Sequence, residues 1–279
     1  MRRTAIFFNT LLLTSAVIAG TAFATPQEAR VPGGIAILPL PSNLPAEITA
    51  RYDGHPVRIE KNADGSRQLI IGIPIASAPG KASVQIEAGQ KTETLSFTIA
   101  EKKYEEQHIT LPPGNEKHVH PGEAELARYA RETKEQQAVY KRFSDNAQPW
   151  PEFIMPTKGT ANQSFGRKRF FNGEARAPHL GMDIAAPQGQ RAWAPAAGVV
   201  AQTGDYFFNG RTVMIDHGNG LISMLCHLSR IDVKAGDVLK QGDAIGLVGS
   251  TGRSTGPHLH WTVSLNDARI DPLLVLPAK

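Results

Sequence analysis

Residues 249–263 read Gly249-Ser250-Thr251-Gly252-Arg253-Ser254-Thr255-Gly256-Pro257-His258-Leu259-His260-Trp261-Thr262-Val263. Glycine punctuates the first part and alternation marks the second, which predicts a loop that leads into a strand. In a strand, residues i and i+2 share a face and lie roughly 6.6 Å apart, so His258 and His260 stand side by side. Two imidazoles can then reach one metal ion. The alternative for an isolated H-x-H is a pair of polar residues on a solvated strand face.

A second cluster lies upstream, where His179 and Asp183 are four residues apart in the sequence H-L-G-M-D. On a straight strand this separation is about 13 Å, which is too far for one metal ion. A helix would bring the two together, but Pro178, Gly181 and Pro187 leave little room for one. We therefore expect the chain to bend here, with Gly181 as the hinge. A capped turn or a surface ion pair is the alternative.

A third histidine, His227, begins the sequence H-L-S, and five of the nine histidines fall between His179 and His260. The order of motifs is H-x-G-x-D, then D-H-G-N-G at 216–220, then H-L-S, then G-x-T-G-x-S-T-G-P-H-L-H. This order resembles the LytM or lysostaphin-type zinc peptidases of bacterial cell walls, over roughly residues 165–272. Several spaced motifs in the same order make a chance match improbable.

The resemblance implies one zinc ion, with His179, Asp183 and His260 as its ligands, and a catalytic pair, His227 and His258. Three protein ligands leave a fourth position open for water, as in catalytic zinc sites. Zinc lowers the pKa of that water, and the two further imidazoles transfer protons and stabilise the oxyanion. Asp216 and His217 also match the family pattern. For these two residues, stabilising the turn or supporting the metal ligands is as good an explanation as a part in catalysis.

The resemblance leaves the substrate groove less defined. We expect substrate contacts from Phe165, Arg167 and Asn209. The basic run 167–169 could attract an acidic polymer, but we prefer a solvated basic loop. Cys226, the single cysteine, is out of phase with His227 on the same predicted strand, which indicates a small buried residue and not a nucleophile.

Peptidoglycan is the substrate and partner that the resemblance implies, and the expected bond is the D-alanyl–meso-diaminopimelate crosslink. Carboxypeptidase activity on stem peptides is a further expectation. The alternative is a non-catalytic peptidoglycan-binding protein or an activator of a separate amidase. Such members are recognised by missing ligands, whereas all five positions here carry the residue that the chemistry needs, so we favour the zinc endopeptidase.

The first 24 residues have the pattern of a secretory signal peptide, with cleavage expected after Ala24. Its removal lowers the net charge from +4 to +2, which gives no support for nucleic-acid binding. The alternative is an uncleaved membrane anchor, which we disfavour because the apolar run is short of the ~20 residues that span a bilayer. We expect no stable membrane insertion after cleavage. The expected location is the periplasm of a Gram-negative bacterium.

The chain beyond the signal peptide predicts an all-β protein of two domains joined by a helix. Residues 25–112 have short alternating runs typical of an immunoglobulin-like β-sandwich. Residues 113–149 form the connector, with a helix over 122–143. Residues 150–279 form an open antiparallel β-sheet, the zinc peptidase domain of the family it resembles. A further hypothesis is latency: the N-terminal part covers the groove, and residues 115–120 offer groups for the open zinc position.

Overall fold

The computed structural model describes residues 25–110, 120–144 and 148–278. The predicted signal peptide and residues 111–119 of the connector lie outside the described residues. The N-terminal strands are β1 Ile35–Pro39, β2 Thr49–Tyr52, β3 His55–Pro56, β4 Arg58–Lys61, β5 Arg67–Gly72, β6 Gly80–Ala88, β7 Lys91–Ile99 and β8 Glu106–Ile109. They precede helix α1, Glu123–Tyr140.

Twelve further strands follow the helix in the described chain. They are β9 Thr160–Ala161, β10 Lys168–Phe171, β11 Glu174–Ala175, β12 Met182–Ala185, β13 Arg191–Trp193, β14 Gly198–Tyr206, β15 Gly210–Asp216, β16 Leu221–Ile231, β17 Val238–Leu239, β18 Ala244–Val248, β19 His258–Leu265 and β20 Ala268–Ile270. A short 3-10 helix, Pro272–Val275, comes after them.

The N-terminal strands confirm the predicted sandwich. One antiparallel sheet has the order β1-β5-β4 and the other has the order β3-β2-β6-β7. Alternation places Val84 and Ile86 of β6 inward, where they share one apolar core with Leu69 and Ile71 of β5. The sheet that contains β6 thus buries one face and leaves polar side chains on the other.

The sandwich packs directly on the C-terminal part of the chain. Ile35 and Ile70 point away from the sandwich core and belong to the apolar core of the large sheet. Beside them, the side-chain amide of Asn266 bridges the backbone of Gly72: the Gly72 N–H donates to Asn266 Oδ1 at 2.6 Å and Asn266 Nδ2 donates to Gly72 O at 3.0 Å. The two parts therefore share apolar contacts and buried hydrogen bonds.

The large sheet carries the order β17-β14-β15-β16-β19-β12-β9, with β18 pairing β13 and β16, and β20 pairing β19. Its central strand β16 is buried on both faces. Leu221 and Leu225 pack in the main core, while Ile222, Met224 and Cys226 pack under helix α1. This confirms the open antiparallel sheet that the resemblance implies.

Helix α1 is four residues shorter than the predicted helix over 122–143. Only the C-terminal end of its apolar stripe is buried: Val139 and Tyr140 pack on Met214 of the sheet, while Leu126 and Tyr129 are exposed. No helix in the described part of the chain combines the length and apolarity that crossing a membrane requires.

Strand β10 corrects the interpretation of residues 167–169 as a solvated basic loop. It pairs in parallel with β8, with Arg169 opposite Gln107 and Phe171 opposite Ile109. The Arg169 side chain is only 17% exposed and pairs with Asp183. A strand from before the helix therefore shapes the segment next to the predicted ligands.

Candidate metal centre

Two neighbouring strands bring two of the predicted ligands together. Antiparallel pairing of β12 with β19 sets Asp183 opposite His260, and Ala185 opposite His258. The next residues in alternation, Leu259 and Trp261, are fully buried on the opposite face, as the period of two predicts. The polar face of β19 is thus aimed at the carboxylate of β12.

His179 reaches the same point from the loop before β12. Its Nε2 lies 2.9 Å from His260 Nδ1 and 3.1 Å from Asp183 Oδ1, and His260 Nδ1 lies 2.8 Å from the same Oδ1. Gly181 makes the approach possible through space, because a Cβ there would lie 2.6 Å from the His260 ring and from Trp261 O. The φ of Gly181 is not positive, so glycine is needed here for the close contact with His260 and not for a special backbone angle at the predicted hinge.

The donor set fits a zinc ion. Two imidazole nitrogens and one carboxylate oxygen converge, all within 4.8 Å of one another. Tetrahedral coordination with bonds of about 2.0–2.1 Å separates ligand atoms by about 3.3 Å. The observed separations of 2.8–3.1 Å are close to that spacing. Nitrogen and oxygen donors of this kind suit zinc.

A second set of groups orients these side chains. His260 Nε2 lies 2.9 Å from Thr262 Oγ1, and His179 Nδ1 lies 3.1 Å from Ser164 O. Since a carbonyl only accepts, His179 carries its proton on Nδ1 and leaves Nε2 free for a metal. Arg169 donates to Asp183 Oδ2 at 3.0 Å, which leaves Oδ1 for the donor cluster.

Burial and hydrogen bonding set the charges of this cluster. Burial lowers the pKa of His179 to about 4, so its imidazole is neutral at pH 7. Burial also acts to raise the pKa of Asp183, but the two imidazoles beside its carboxylate, those of His179 and His260, outweigh burial and lower that pKa. Neutral imidazole and ionised carboxylate are the forms that bind a cation.

His227 and His258 stand next to this cluster. Their ring centroids are 4.7 Å apart, and His258 Nε2 lies 3.7 Å from Asp183 Oδ1. Each Nδ1 faces a backbone carbonyl, Thr251 O for His227 and Gly256 O for His258, at 2.8 Å in both cases. Both protons therefore sit on Nδ1, and each Nε2 is left as an acceptor.

A bulge in β16 aims His227. Between Arg211 and Val213 of β15 the chain advances two residues, whereas β16 advances three between Leu225 and Leu228. The extra residue gives His227 a φ of 63°, in the left-handed region that costs an ordinary side chain roughly 1–2 kcal/mol. Bulges of this kind re-aim side chains and cluster next to functional sites.

Cys226, His217 and Asp216 have structural roles. Cys226 is fully buried and its pKa is raised to about 12 by burial, which agrees with the prediction that it is no nucleophile. His217 is buried, with Nδ1 2.7 Å from Ala197 O and Nε2 2.9 Å from Ser223 Oγ. Asp216 accepts from the Gly218 N–H at 2.8 Å, which is a turn contact.

A cavity of about 670 Å³ opens beside the histidines. Helix α1 forms one wall, with Leu126, Tyr129 and Gln136, and Asn209, for which we expect a substrate contact, also lines the cavity. Gln136 Nε2 lies 3.4 Å from Asn209 Oδ1, and the Asn209 carbonyl accepts from the His227 N–H at 2.9 Å. The helix is thus part of the groove.

Phe165 and Arg167 are not among the described residues that line this cavity. Phe165 is buried and its ring packs edge-on against Tyr104, with centroids 6.1 Å apart. Arg167 pairs with Glu105 at 3.1 Å. Both residues therefore contact the N-terminal segment of the chain.

Sequence reasoning missed three groups at the site. Arg169 and Thr262, which contact two predicted ligands, gave no signal beyond lying near the motifs. Arg253 stands in the quoted loop, and its guanidinium lies in the cavity wall. A cation inside a conspicuous loop was the available signal.

The fold and the donor cluster define a metallopeptidase with a His, Asp, His centre on an open β-sheet. Residues 177–272 match the description Peptidase family M23, and residues 28–102 match Peptidase family M23 N-terminal domain. A crystal structure assigned to peptidase M23 from Pseudomonas aeruginosa superposes with a TM-score of 0.75 at 38% identity, over 90% of this chain and 97% of that one. The chain belongs to peptidase family M23.

Two curated relatives match the C-terminal part. The DD-carboxypeptidase/endopeptidase Mpg of Neisseria meningitidis is 45% identical over 97 residues, and the peptidoglycan DD-endopeptidase ShyC of Vibrio cholerae is 44% identical over 97 residues. Each match covers 35% of this chain and 22% of the relative. The chain therefore aligns with about a fifth of the length of these relatives.

Proposed function

We propose that this protein is a zinc-dependent peptidoglycan endopeptidase. The observation that carries the proposal is the convergence of His179 Nε2, Asp183 Oδ1 and His260 Nδ1 within hydrogen-bonding distance, beside two further imidazoles. These three side chains hold the zinc ion. When bound, zinc supplies a Lewis acid and a water molecule of lowered pKa at this point of the groove.

His227 and His258 perform the proton transfers. The Thr251 and Gly256 carbonyls hold the protons of the two rings on Nδ1, so each Nε2 accepts a proton in the resting state. The ring that accepts a proton from the attacking water then carries an Nε2–H. This group donates to the leaving amine or to the developing oxyanion.

The substrate is a peptide crosslink of the cell wall, and the D-alanyl–meso-diaminopimelate bond is the one we propose. Names of matched relatives from Neisseria and Vibrio support this choice, since they read DD-carboxypeptidase/endopeptidase and peptidoglycan DD-endopeptidase. The proposal includes export to the periplasm of a Gram-negative bacterium. It also includes a β domain over 25–112, a connector over 113–149 and a peptidase domain over 150–279, in agreement with the two family matches.

The test is digestion of purified sacculi by the zinc-loaded protein, with mass spectrometry of the released fragments. We expect soluble fragments cut at the crosslink, and no release with a chelator. His227→Ala and His258→Ala should keep one zinc per chain and lose turnover by on the order of a hundredfold or more. His260→Ala should lose the zinc.

The same experiment decides against the competing reading. A peptidoglycan-binding protein or an amidase activator would bind sacculi without cutting them. If the zinc-loaded protein releases no more fragments than the double variant of His227 and His258, the binding reading replaces the endopeptidase.

A further inference from the structure

The cavity beside the donor cluster is cationic. Four guanidiniums line it, and no acidic side chain is among its described lining residues. Three of the four have a carboxylate partner: Arg169 with Asp183 at 3.0 Å, Arg176 with Glu174 at 2.5 Å and Arg269 with Asp267 at 2.7 Å. Within the described part of the chain, no hydrogen bond or ion pair reaches the guanidinium of Arg253. One positive charge in the cavity is therefore uncompensated.

Two aromatic rings hold Arg253 in position. Its Cζ lies 4.7 Å from the centroid of Phe171 and 4.5 Å from that of Phe208. Contact with two rings fixes the position of the guanidinium, and ring faces accept no hydrogen bond from it in the plane of its N–H donors. The group is thus oriented as a fork, which is the shape that binds a carboxylate through two parallel hydrogen bonds.

The backbone of the loop is equally constrained. The Arg253 N–H donates to Phe208 O at 2.9 Å. Gly252 has a φ of 69°, and a Cβ there would lie 2.4 Å from Gly210 N, so the loop is seated tightly against the β14–β15 turn. The same loop supplies Thr251 O to His227, which ties the position of Arg253 to that of the histidines. A donor fixed before binding loses little entropy when a ligand arrives.

The charge is also partly desolvated. Burial lowers the pKa of Arg253 to about 10, and the charges of Arg169 and Arg176 act in the same direction. The group remains protonated at pH 7. A half-buried cation without a partner is unfavourable, and proteins pair such charges or satisfy them with a ligand.

We propose that Arg253 is a specificity residue that binds one carboxylate of the peptide substrate in the groove. The single uncompensated charge matches a single carboxylate, and the edge-on fork matches its two oxygens. On this assignment the enzyme prefers a peptide with a free carboxylate beside the scissile bond over the same peptide with a carboxamide. The assignment rests on the proposed peptidase function, whose substrate class it narrows.

The test uses two synthetic crosslinked peptides that differ only in this carboxylate or carboxamide. The zinc-loaded wild type should cleave the acid with a kcat/KM about tenfold to a hundredfold above that of the amide, mainly through KM. Arg253→Gln should lose this preference, because its kcat/KM falls much further on the acid than on the amide. Arg253→Lys should recover only part of it, since a point charge cannot form the fork. Arg131→Gln, an exposed charge change on helix α1, controls for general electrostatics.

Zinc content and thermal unfolding of every variant establish that the site is intact. Equal loss by Arg253→Gln on acid and amide assigns Arg253 a structural role and overturns the proposal. Equal turnover of the two peptides by the wild type does the same. If the wild type cleaves neither peptide, the proposed function fails. Calorimetric binding of the uncleaved acid and amide to the wild type and Arg253→Gln then decides the carboxylate site by itself.

Discussion

Replacing Asn266 by glycine should strongly destabilise the protein, because this residue joins the sandwich to the large sheet. Asn266 and Asp267 form the two-residue turn between β19 and β20, with φ angles of 44° and 62°. Asparagine is favoured at such a turn. Its side chain is buried and bonded to both the N–H and the carbonyl of Gly72.

The magnitude follows from the two groups left behind. Glycine keeps the turn conformation but removes the amide, so the Gly72 N–H and C=O lose their partners in a buried place. An unsatisfied buried donor or acceptor costs about 1–3 kcal/mol, so the variant should lose about 2–5 kcal/mol of unfolding free energy. In a protein of this size that is roughly 5–15 °C in Tm. Water has little access, since a Cβ on Gly72 would already lie 2.5 Å from Leu265 O.

Urea denaturation followed by tryptophan fluorescence measures this loss. Trp150 and Trp261 are buried in the core that Ile35 and Ile70 share, so their emission reports both parts of the chain. Asp53→Gly is the matched control, because Asp53 has a φ of 50° in an exposed hairpin turn of the sandwich. If Asn266→Gly lies within about 0.5 kcal/mol of this control, the buried amide bridge does not hold the two parts together.

Three further predictions concern the site. Thr262→Val should weaken zinc binding about tenfold to a hundredfold by removing the hydroxyl that orients His260, whereas Thr212→Val, elsewhere in the sheet, should not; chelator competition measures both. Burial lowers the pKa of His217 to about 4. The folded protein therefore disfavours the charged imidazole, and about 3 kcal/mol of unfolding free energy, fully present above pH ~6.5, is lost as the pH falls towards 4. The free energy of unfolding, measured by urea titration at pH 7 and at pH 4.5, should therefore change less between the two pH values for His217→Phe than for the wild type. His227→Gly should be inactive yet about 1 kcal/mol more stable than His227→Ala, because glycine tolerates the φ of 63°; equal stability would remove the strain argument.

The sequence predicted the strands with regular alternation. Strand β19 begins at His258, where the predicted loop leads into a strand, and it contains both His258 and His260. The alternation of buried and less buried side chains at the start of this strand follows from the local sequence, where it can be read directly. The predicted ligands also meet, because strand pairing and a fixed motif order limit where His179, Asp183 and His260 can lie.

What the sequence could not predict depends on contacts between distant segments. Strand β8 and strand β10 are about 60 residues apart and pair in parallel, and neither has the apolar alternation that marks a strand. The bulge at His227 arises from the mismatch of two paired strands, which is a property of the pair. Phe165 was expected in the groove by its place in the motif, whereas Tyr104 from the N-terminal part buries it.

These long-range contacts change how the N-terminal part acts on the site. Strand β8 supports β10, and β10 carries both Arg169, which contacts Asp183, and Phe171, which stacks on Arg253. Residues 111–119, which include most of the segment suggested to cap the metal, lie outside the described residues, while His120 stands 3.3 Å from Glu174.

Removal of residues 25–148 is therefore an ambiguous test of latency. It would uncover the groove, but it would also remove the strand that orders β10 and the Ile35 and Ile70 side chains that complete the core. Activity would fall because β10 and the core lose their support, whether or not the N-terminal part inhibits the enzyme. The informative change is smaller: weakening the contact of helix α1 with the β14–β15 turn, where Glu132 accepts from the Phe207 N–H at 2.8 Å, opens the cavity wall and leaves β8 paired with β10.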